Sequence, residues 1–317
     1  MNEVKAIDIY KTVKQLDISD TLVTSFVDFL DVSPLTVKTY KAGIARLIAY
    51  LKAKGITKPE REDIADFRKS LQASGRKPAT IGAYLSAIRR FFDWTESKGL
   101  YPNITRGIKA PKIDKGHKRD FLNADQIQSM MKGIDRHTEE GKRNFAMLAL
   151  MATGGLRTVE ITRANVEDLT TVGGIPVLYV QGKGRTDKKD FVKLTPEVLA
   201  AIRDYLKTRG QVSTVAPLFA SLSHRNKGDR LTTRTISNIA KHSMISAGYD
   251  SSRLTAHSLR HSAVTLALMN GASLQEVSHF ARHSNISTTM IYSHDVDRLR
   301  SCCEASISNA IFHGLSL

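Results

Sequence analysis

Apolar residues recur at helical spacing through the N-terminal third of the chain. They form four stripes whose members lie three or four positions apart, a spacing typical of helices that bury one face. Ser33 and Pro34 precede the second stripe as a favourable helix start, while Pro78 opens the fourth stripe and Gly99 ends it. Residues 1–105 are therefore predicted to form a helical domain. The stripes are Leu22, Val23, Phe26, Phe29 and Leu30; Tyr40, Ile44, Leu47, Ile48 and Leu51; Ile64, Phe67 and Leu71; and Ile81, Leu85, Ile88, Phe91 and Phe92.

The pattern changes at residues 106–117, which have no apolar period and are rich in lysine, arginine, glycine and proline. This composition predicts a basic linker. In residues 118–317, amphipathic stripes alternate with two strand-like runs, IPVLYVQ and KKDFVKL, around the turn GKGRTD. The second domain is thus predicted to be mixed α/β, with a tail helix at 303–317, and the whole chain to be mainly α with a small β-sheet or hairpin.

The net charge of the chain indicates the kind of partner that it binds. Lysine and arginine number 47 against 31 aspartates and glutamates, a formal net charge of +16 at pH 7. Such a surface suits a polyphosphate, because neutralising phosphates releases counterions; a basic protein without a special partner is the alternative. No apolar run approaches the roughly 20 residues of a membrane span, and no basic amphipathic anchor helix stands out. We therefore expect a cytoplasmic protein with no membrane partner.

Candidate chemistry is concentrated between residues 257 and 294, which hold five of the ten histidines. A buried polar group without a partner costs about 1–3 kcal/mol, so a core helix seldom gathers so many of them. A functional site is the better interpretation. The histidines, arginines and tyrosine of this stretch are His257, Arg260, His261, His279, Arg282, His283, Tyr292 and His294.

The order of these residues resembles the signature of the tyrosine recombinase (phage integrase) family. H-x-x-R at His257 and Arg260 is followed by His283 and, nine positions later, by Tyr292 within ISTTMIYSH. Upstream, TGGLRTVEI resembles the family's first-arginine motif and contains Arg157. The ordered motifs cover roughly residues 118–300; the N-terminal domain resembles the family's helical SAM-like core-binding domain by type alone.

The resemblance implies an enzyme that breaks and rejoins DNA through a 3′-phosphotyrosine, without metal, ATP or another cofactor. It implies the following roles: Arg157 and Arg260 grip the scissile phosphate, Tyr292 is the nucleophile, Lys183 on the β-turn protonates the leaving 5′ oxygen, His257 is the base or proton shuttle, and His283 donates a hydrogen bond to the phosphate. Glu160, three residues after Arg157, is expected to brace that arginine. One departure stands out: Ala281 and Arg282 precede His283, where the family usually has Leu-Gly.

The implied partner is double-stranded DNA, at a specific recombination site with inverted half-sites. Four copies of a simple, Xer-like recombinase would assemble on two duplexes, and localisation with the nucleoid would follow. Further basic side chains are expected to hold the DNA backbone, and among them Arg282 adds a cation near the scissile phosphate. These residues are Lys38, Lys41, Arg46, Arg76, Lys77, Arg89, Arg90, Lys109, Lys112, Lys115 and Arg282.

Two other classes of protein stay open on the sequence. A non-catalytic, sequence-specific DNA-binding regulator would explain the charge but would leave Tyr292 and the arginines without a role. A metal hydrolase would use the pairs His257/His261 and His279/His283, whose i,i+4 spacing can present two imidazoles to one ion. Against it, an arginine lies within each pair and the glutamate of an HExxH motif is missing. A type IB topoisomerase has similar residues, but the short helical N-terminal domain favours a recombinase.

Overall fold

The computed structural model describes residues 20–112, 120–182, 185, 187–300 and 303–312. Contacts divide the chain into two compact units, Met1–Lys115 and Gly116–Leu317. Thirteen α-helices and a three-stranded sheet are found among the described residues, so the predicted mainly-α fold class is confirmed.

The first unit consists of four helices around an aromatic core. The helices are α1 (Asp20–Phe29), α2 (Pro34–Ala53), α3 (Arg61–Ala73) and α4 (Pro78–Ser97). As its sequence predicts, α2 is capped by Ser33, whose side chain accepts a hydrogen bond from the backbone N–H of Thr36 at 3.3 Å. Phe26 and Phe91 meet edge to face with ring centroids 5.3 Å apart, and both are buried. The four predicted stripes thus face one core, except for Phe29, which is 46% exposed at the end of α1.

The start of the predicted linker packs on this unit. Ile108 is buried in the aromatic core, and its carbonyl accepts a hydrogen bond from Arg89. Arg68 donates to the carbonyl of Lys109 at 3.1 Å. Residues 113–119, including Lys115, lie outside the described part, so the linker boundaries stay a prediction.

The second unit places a small sheet beside a larger helical core. Its sheet is antiparallel in the order β1 (Leu169–Val172), β2 (Ile175–Val180), β3 (Asp190–Lys193). The strands β2 and β3 were predicted; β1 was not, because LTTV is short and mostly exposed. The helices are α5 (Ala124–Lys132), α6 (Glu139–Gly154), α7 (Thr158–Arg163), α8 (Pro196–Thr208), α9 (Thr233–Ser246), α10 (Ala256–Met269), α11 (Leu274–Phe280), α12 (Ser287–Arg300) and α13 (Cys303–Phe312).

The C-terminal helix α13 leaves its apolar side chains in solvent. Ile307 and Ile311 are each 58% exposed. Residues 313–317 of the predicted tail helix lie outside the described part. In the described residues, no helix is both long and apolar enough to cross a membrane.

Candidate active site

A sharp turn between α6 and α7 presents the first arginine. Gly155 ends α6 with a left-handed backbone (φ 58°), which glycine adopts without steric cost. A Cβ there would lie 3.1 Å from the ring of Phe280. Arg157 follows as the N-cap residue of α7. Gly155 of TGGLR is therefore needed by the turn, and Gly154 by close packing, since a Cβ there would lie 2.8 Å from Val192 Cγ1. Arg157 then begins a helix.

Glu160 holds Arg157 in place from the first turn of α7. Its carboxylate accepts hydrogen bonds from Arg157 Nη1 at 2.9 Å and from the Arg157 backbone N–H at 2.8 Å. The Glu160 side chain is fully buried, whereas that of Arg157 is 26% exposed. The structure thus forms the contact that a brace requires and leaves part of the guanidinium open to a ligand.

Arg260 on α10 is almost entirely buried, with 1% of its surface exposed. Its Nη1 donates to the carbonyl of Gly155 at 2.5 Å, and its Nη2 donates to the carbonyl of Ala281. Burial, followed by the charge of Arg157, lowers the pKa of Arg260 to about 9. The guanidinium therefore stays charged at neutral pH and links the Gly155 turn to the end of α11.

His283 lies beyond α11, where its Nδ1 is 2.8 Å from Oγ1 of the buried Thr289. Burial lowers the pKa of His283 to about 4, and the charges of Arg260 and Arg157 add to that effect. At pH 7 the imidazole is consequently neutral, with one N–H to donate. A hydrogen-bond donor role is compatible with this state, while a cationic role is not.

Tyr292 on α12 packs in a small apolar cluster and is only 5% exposed. Its ring centroid lies 5.0 Å from that of His261 and 6.4 Å from that of His283. His261 also meets His257 edge to face at 4.7 Å. His257, His261, His283 and the tyrosine thus form one continuous group of rings.

His261 is the residue that sequence reasoning assigned only to a possible metal site. Its i,i+4 spacing from His257 places both rings on one side of α10. Within the described ranges, no group of three or more histidine, cysteine, aspartate or glutamate side chains is placed to hold a metal ion.

Lys183 lies outside the described residues, but the base of its hairpin is described. Arg163, at the end of α7, donates to the carbonyl of Gly182 at 3.0 Å. Lys188 forms an ion pair of 2.5 Å with Asp168, just before β1. Neither anchor was predicted, since nothing local in the sequence connects α7 to the hairpin.

A cavity of about 550 Å³ opens beside these elements. It is lined by Arg157, Glu160, Arg185, Arg282 and His283, among others. Glu160 and Arg282 pair with each other. The other three side chains can donate hydrogen bonds, so the cavity suits an anionic group such as a phosphate.

The residues expected to hold the DNA backbone divide into two groups. Arg89 is partly buried, and Arg282 is buried against Glu160 with 7% of its side chain exposed. Lys115 lies outside the described part. The remaining residues are exposed on the first unit: Lys38, Lys41, Arg46, Arg76, Lys77, Arg90, Lys109 and Lys112.

The fold and the group of arginines, histidines and tyrosine together define the class of enzyme that transfers DNA strands through a tyrosine. Residues 120–298 match the model of the phage integrase family, and residues 23–99 match the model of the phage integrase N-terminal SAM-like domain. The chain belongs to the phage integrase family, that is, to the tyrosine recombinases, and the resemblance inferred from the motifs is confirmed.

Individual relatives agree. The chain is 30% identical over 294 residues to the tyrosine recombinase XerD of Listeria monocytogenes serotype 4b (strain F2365), covering 88% of this chain and 95% of that protein. Its fold is similar to that of a XerH recombinase bound to a palindromic difH substrate, with a TM-score of 0.72, 18% identity and coverage of 95% and 92%. It is also similar to a lambda integrase tetramer bound to a Holliday junction, with a TM-score of 0.62, 17% identity and coverage of 84% and 77%.

Proposed function

We propose that this protein, a site-specific DNA recombinase of the tyrosine class, performs its reaction with Tyr292 as nucleophile and with Arg157 and Arg260 on the scissile phosphate. One observation carries the assignment: Arg260 and Arg282 both donate to the carbonyl of Gly155, and Arg282 shares the Glu160 carboxylate with Arg157, so the three guanidinium groups converge on one place. The ring of Tyr292 lies 6.4 Å from that of His283, which lines the same cavity as Arg157. If each residue were an unrelated surface or core group, this convergence would have no explanation.

The proposed reaction is a pair of phosphoryl transfers. The Tyr292 phenol oxygen attacks phosphorus, the bond to the 5′ oxygen breaks, and a 3′-phosphotyrosine forms. His257 takes the phenol proton, and Lys183 gives a proton to the departing 5′ oxygen. A 5′-hydroxyl from another strand then attacks the phosphotyrosine and restores the phenol. The bond energy is retained throughout, which agrees with a family that requires neither metal nor ATP.

Electrostatics explain why two arginines are needed. The transition state gathers negative charge on the nonbridging oxygens, and planar guanidinium groups match that geometry. Arg260 gives one N–H each to Gly155 and Ala281, which leaves three of its five N–H groups for the phosphate. Loss of one such donor costs on the order of 3 kcal/mol in comparable oxyanion sites. The same cations favour the phenolate of Tyr292, whose ordinary pKa is about 10.

Double-stranded DNA is the proposed partner, at a site with inverted half-sites. The net charge of +16 supports it, as do the exposed lysines and arginines of the first unit. We assign residues 1–105 to a core DNA-binding domain, 106–117 to a basic linker and 118–317 to the catalytic domain. The lambda integrase tetramer on a Holliday junction agrees with a tetramer on two duplexes. The proposed place of action is the cytoplasm, with the nucleoid. A non-catalytic regulator and a metal hydrolase are not favoured.

The tail supports a contact between protomers. The exposed Ile307 and Ile311 of α13 form an apolar surface that a single protomer leaves uncovered. Exchange of this helix with a neighbouring protomer would bury it, and head-to-tail contacts of this kind close into rings.

The decisive experiment is covalent trapping on a nicked suicide substrate. Wild-type protein should form an adduct that survives SDS and forms in EDTA, while Tyr292→Phe should bind the same DNA and form none. Tyr179→Phe is the matched control, because Tyr179 lies on β2 against Phe191, and it should still form the adduct. Cleavage by Tyr292→Phe, or its loss in EDTA, would contradict the mechanism.

A further inference from the structure

Arg282 has an unusual backbone. Among the described residues it is the only one other than glycine with a positive φ, at 53°. This left-handed region is strained for most side chains and free for glycine. A bulky residue persists there when its side chain makes compensating contacts.

The side chain of Arg282 turns into the protein and makes three such contacts. Nη1 donates to the carbonyl of Phe280 at 2.7 Å. Nη2 donates to the carbonyl of Gly155 at 3.2 Å and to Glu160 Oε2 at 3.1 Å. With 7% of the side chain exposed, the guanidinium is committed to the interior.

Glu160 is therefore shared between two arginines. Its Oε1 faces Arg157 Nη1 at 2.9 Å, and its Oε2 faces Arg282 Nη2. Burial acts to raise the pKa of Glu160, and the charge of Arg282 is the largest of the effects that lower it, ahead of the charge of Arg157. The net result is a lowered pKa, so the carboxylate is ionised, and it pairs with Arg282 as well as with Arg157.

We propose that Arg282 neutralises Glu160 and thereby leaves the positive charge of Arg157 available to the scissile phosphate. A carboxylate paired with Arg157 alone would compete with the phosphate for that guanidinium. With Arg282 present, Glu160 can orient Arg157 without cancelling it. Arg282 is thus a positioning residue, and its effect rests on the function proposed for Arg157.

Two substitutions test this inference without backbone strain. Arg282→Gly and Arg282→Asn both tolerate a left-handed φ. Each should slow single-turnover cleavage of the suicide substrate by about 10- to 100-fold, the scale known for loss of a residue that orients a ligand-binding side chain in metal sites. The Kd for DNA should be unchanged, because the guanidinium does not face solvent. Arg282→Lys keeps the charge and should recover part of the rate.

A charge-removal cycle separates this role from simple support of the fold. Glu160→Gln should lower the rate in the wild-type background, where it leaves Arg282 without its carboxylate. In the Arg282→Gly background the same change should raise the rate, because it removes the competitor of the phosphate. The sign of the effect of Glu160→Gln therefore depends on residue 282.

Several results would overturn the inference. One is a cleavage rate of Arg282→Gly equal to that of the wild type. Another is a fall in cleavage rate on Glu160→Gln that is the same with Arg282 present as with Arg282→Gly. Weaker DNA binding with a smaller salt dependence would make Arg282 a phosphate contact instead. A large fall in Tm of both Arg282→Gly and Arg282→Asn would make it a fold residue only. Failure of the function itself would appear separately, as cleavage by Tyr292→Phe.

Discussion

The proposed phosphate-binding half of the site and the half that carries the proposed nucleophile are built differently. Arg157 and Arg260 each follow a fully buried leucine, Leu156 and Leu259, that belongs to the main core of the second unit. Tyr292 belongs instead to a small satellite cluster with residues of α10, α11 and α12. The cations are thus positioned by the largest body of packing in the domain, and the tyrosine by the smallest.

The two halves of the site also differ in how much of their surroundings is exposed to solvent. The guanidinium of Arg260 is bonded to two backbone carbonyls inside the protein. On the helix of Tyr292, Met290 and Ile291 are exposed, and α13 exposes Ile307 and Ile311. Preorganised charge lowers the cost of reaching the transition state, whereas exposed apolar surface suits elements that complete their packing on a partner. We infer that the nucleophile is the half that assembly can control.

The sharpest test of this comparison is Arg260→Ala against Arg157→Ala. Both should slow cleavage roughly 100- to 1,000-fold, as expected for loss of a preorganised donor. Arg260→Ala should also lower Tm, because the carbonyl of Ala281 loses its donor, at about 1–3 kcal/mol for a buried group, whereas that of Gly155 keeps Arg282. Thermal unfolding and single-turnover cleavage would measure both effects. Equal stability of the two variants would contradict the difference in burial.

Substitution of Lys183 tests the proposed general acid. Lys183→Ala should cleave ordinary DNA about 100-fold more slowly, the usual scale for loss of a general acid. Replacing the leaving 5′ oxygen by sulfur should rescue it, because a thiolate leaves without protonation. Arg157→Ala is the control that should gain nothing specific from sulfur. No rescue of Lys183→Ala would remove the acid role.

His283 should make stability depend on pH. Its pKa is about 4 in the folded protein and near 6.5 when unfolded, so the unfolded state binds the proton more tightly. The free energy of unfolding should therefore be constant above pH 6.5 from this group and fall between 6.5 and about 4. Chemical denaturation of His283→Asn should show a shallower fall. His224→Asn, at an exposed position, should behave as wild type.

The smallest effect on the isolated protomer is expected from the tail. Deletion of 303–317 should change Tm and single-site binding little, since Ile307 and Ile311 are already solvent-exposed. Synapsis and strand exchange should be lost, and Ile307→Ser with Ile311→Ser should reproduce that loss. Unfolding of the truncated protein, or normal recombination, would show that the tail serves its own domain.

Local sequence determined much of this protein. Apolar spacing and caps such as Ser33 and Asn123 placed the helices, because these signals act within one or two turns. The order of motifs around Arg157, His257, Arg260, His283 and Tyr292 identified the family. The exposed strand β1 was not predicted, because a run of 4 residues is too short for its alternation to be distinguished from a loop.

Tertiary structure alone decided how the charges pair. Arg282 lies 122 residues from Glu160 in the sequence. From its basic character and its place among the site motifs, it was predicted to face the DNA. In the fold its left-handed backbone aims the guanidinium inward, onto a buried carboxylate and the carbonyl of Gly155. Likewise, His261 joins His257 to Tyr292 only because α12 packs across α10. Helix formation is a local equilibrium, but burial of a charge depends on every element that closes around it.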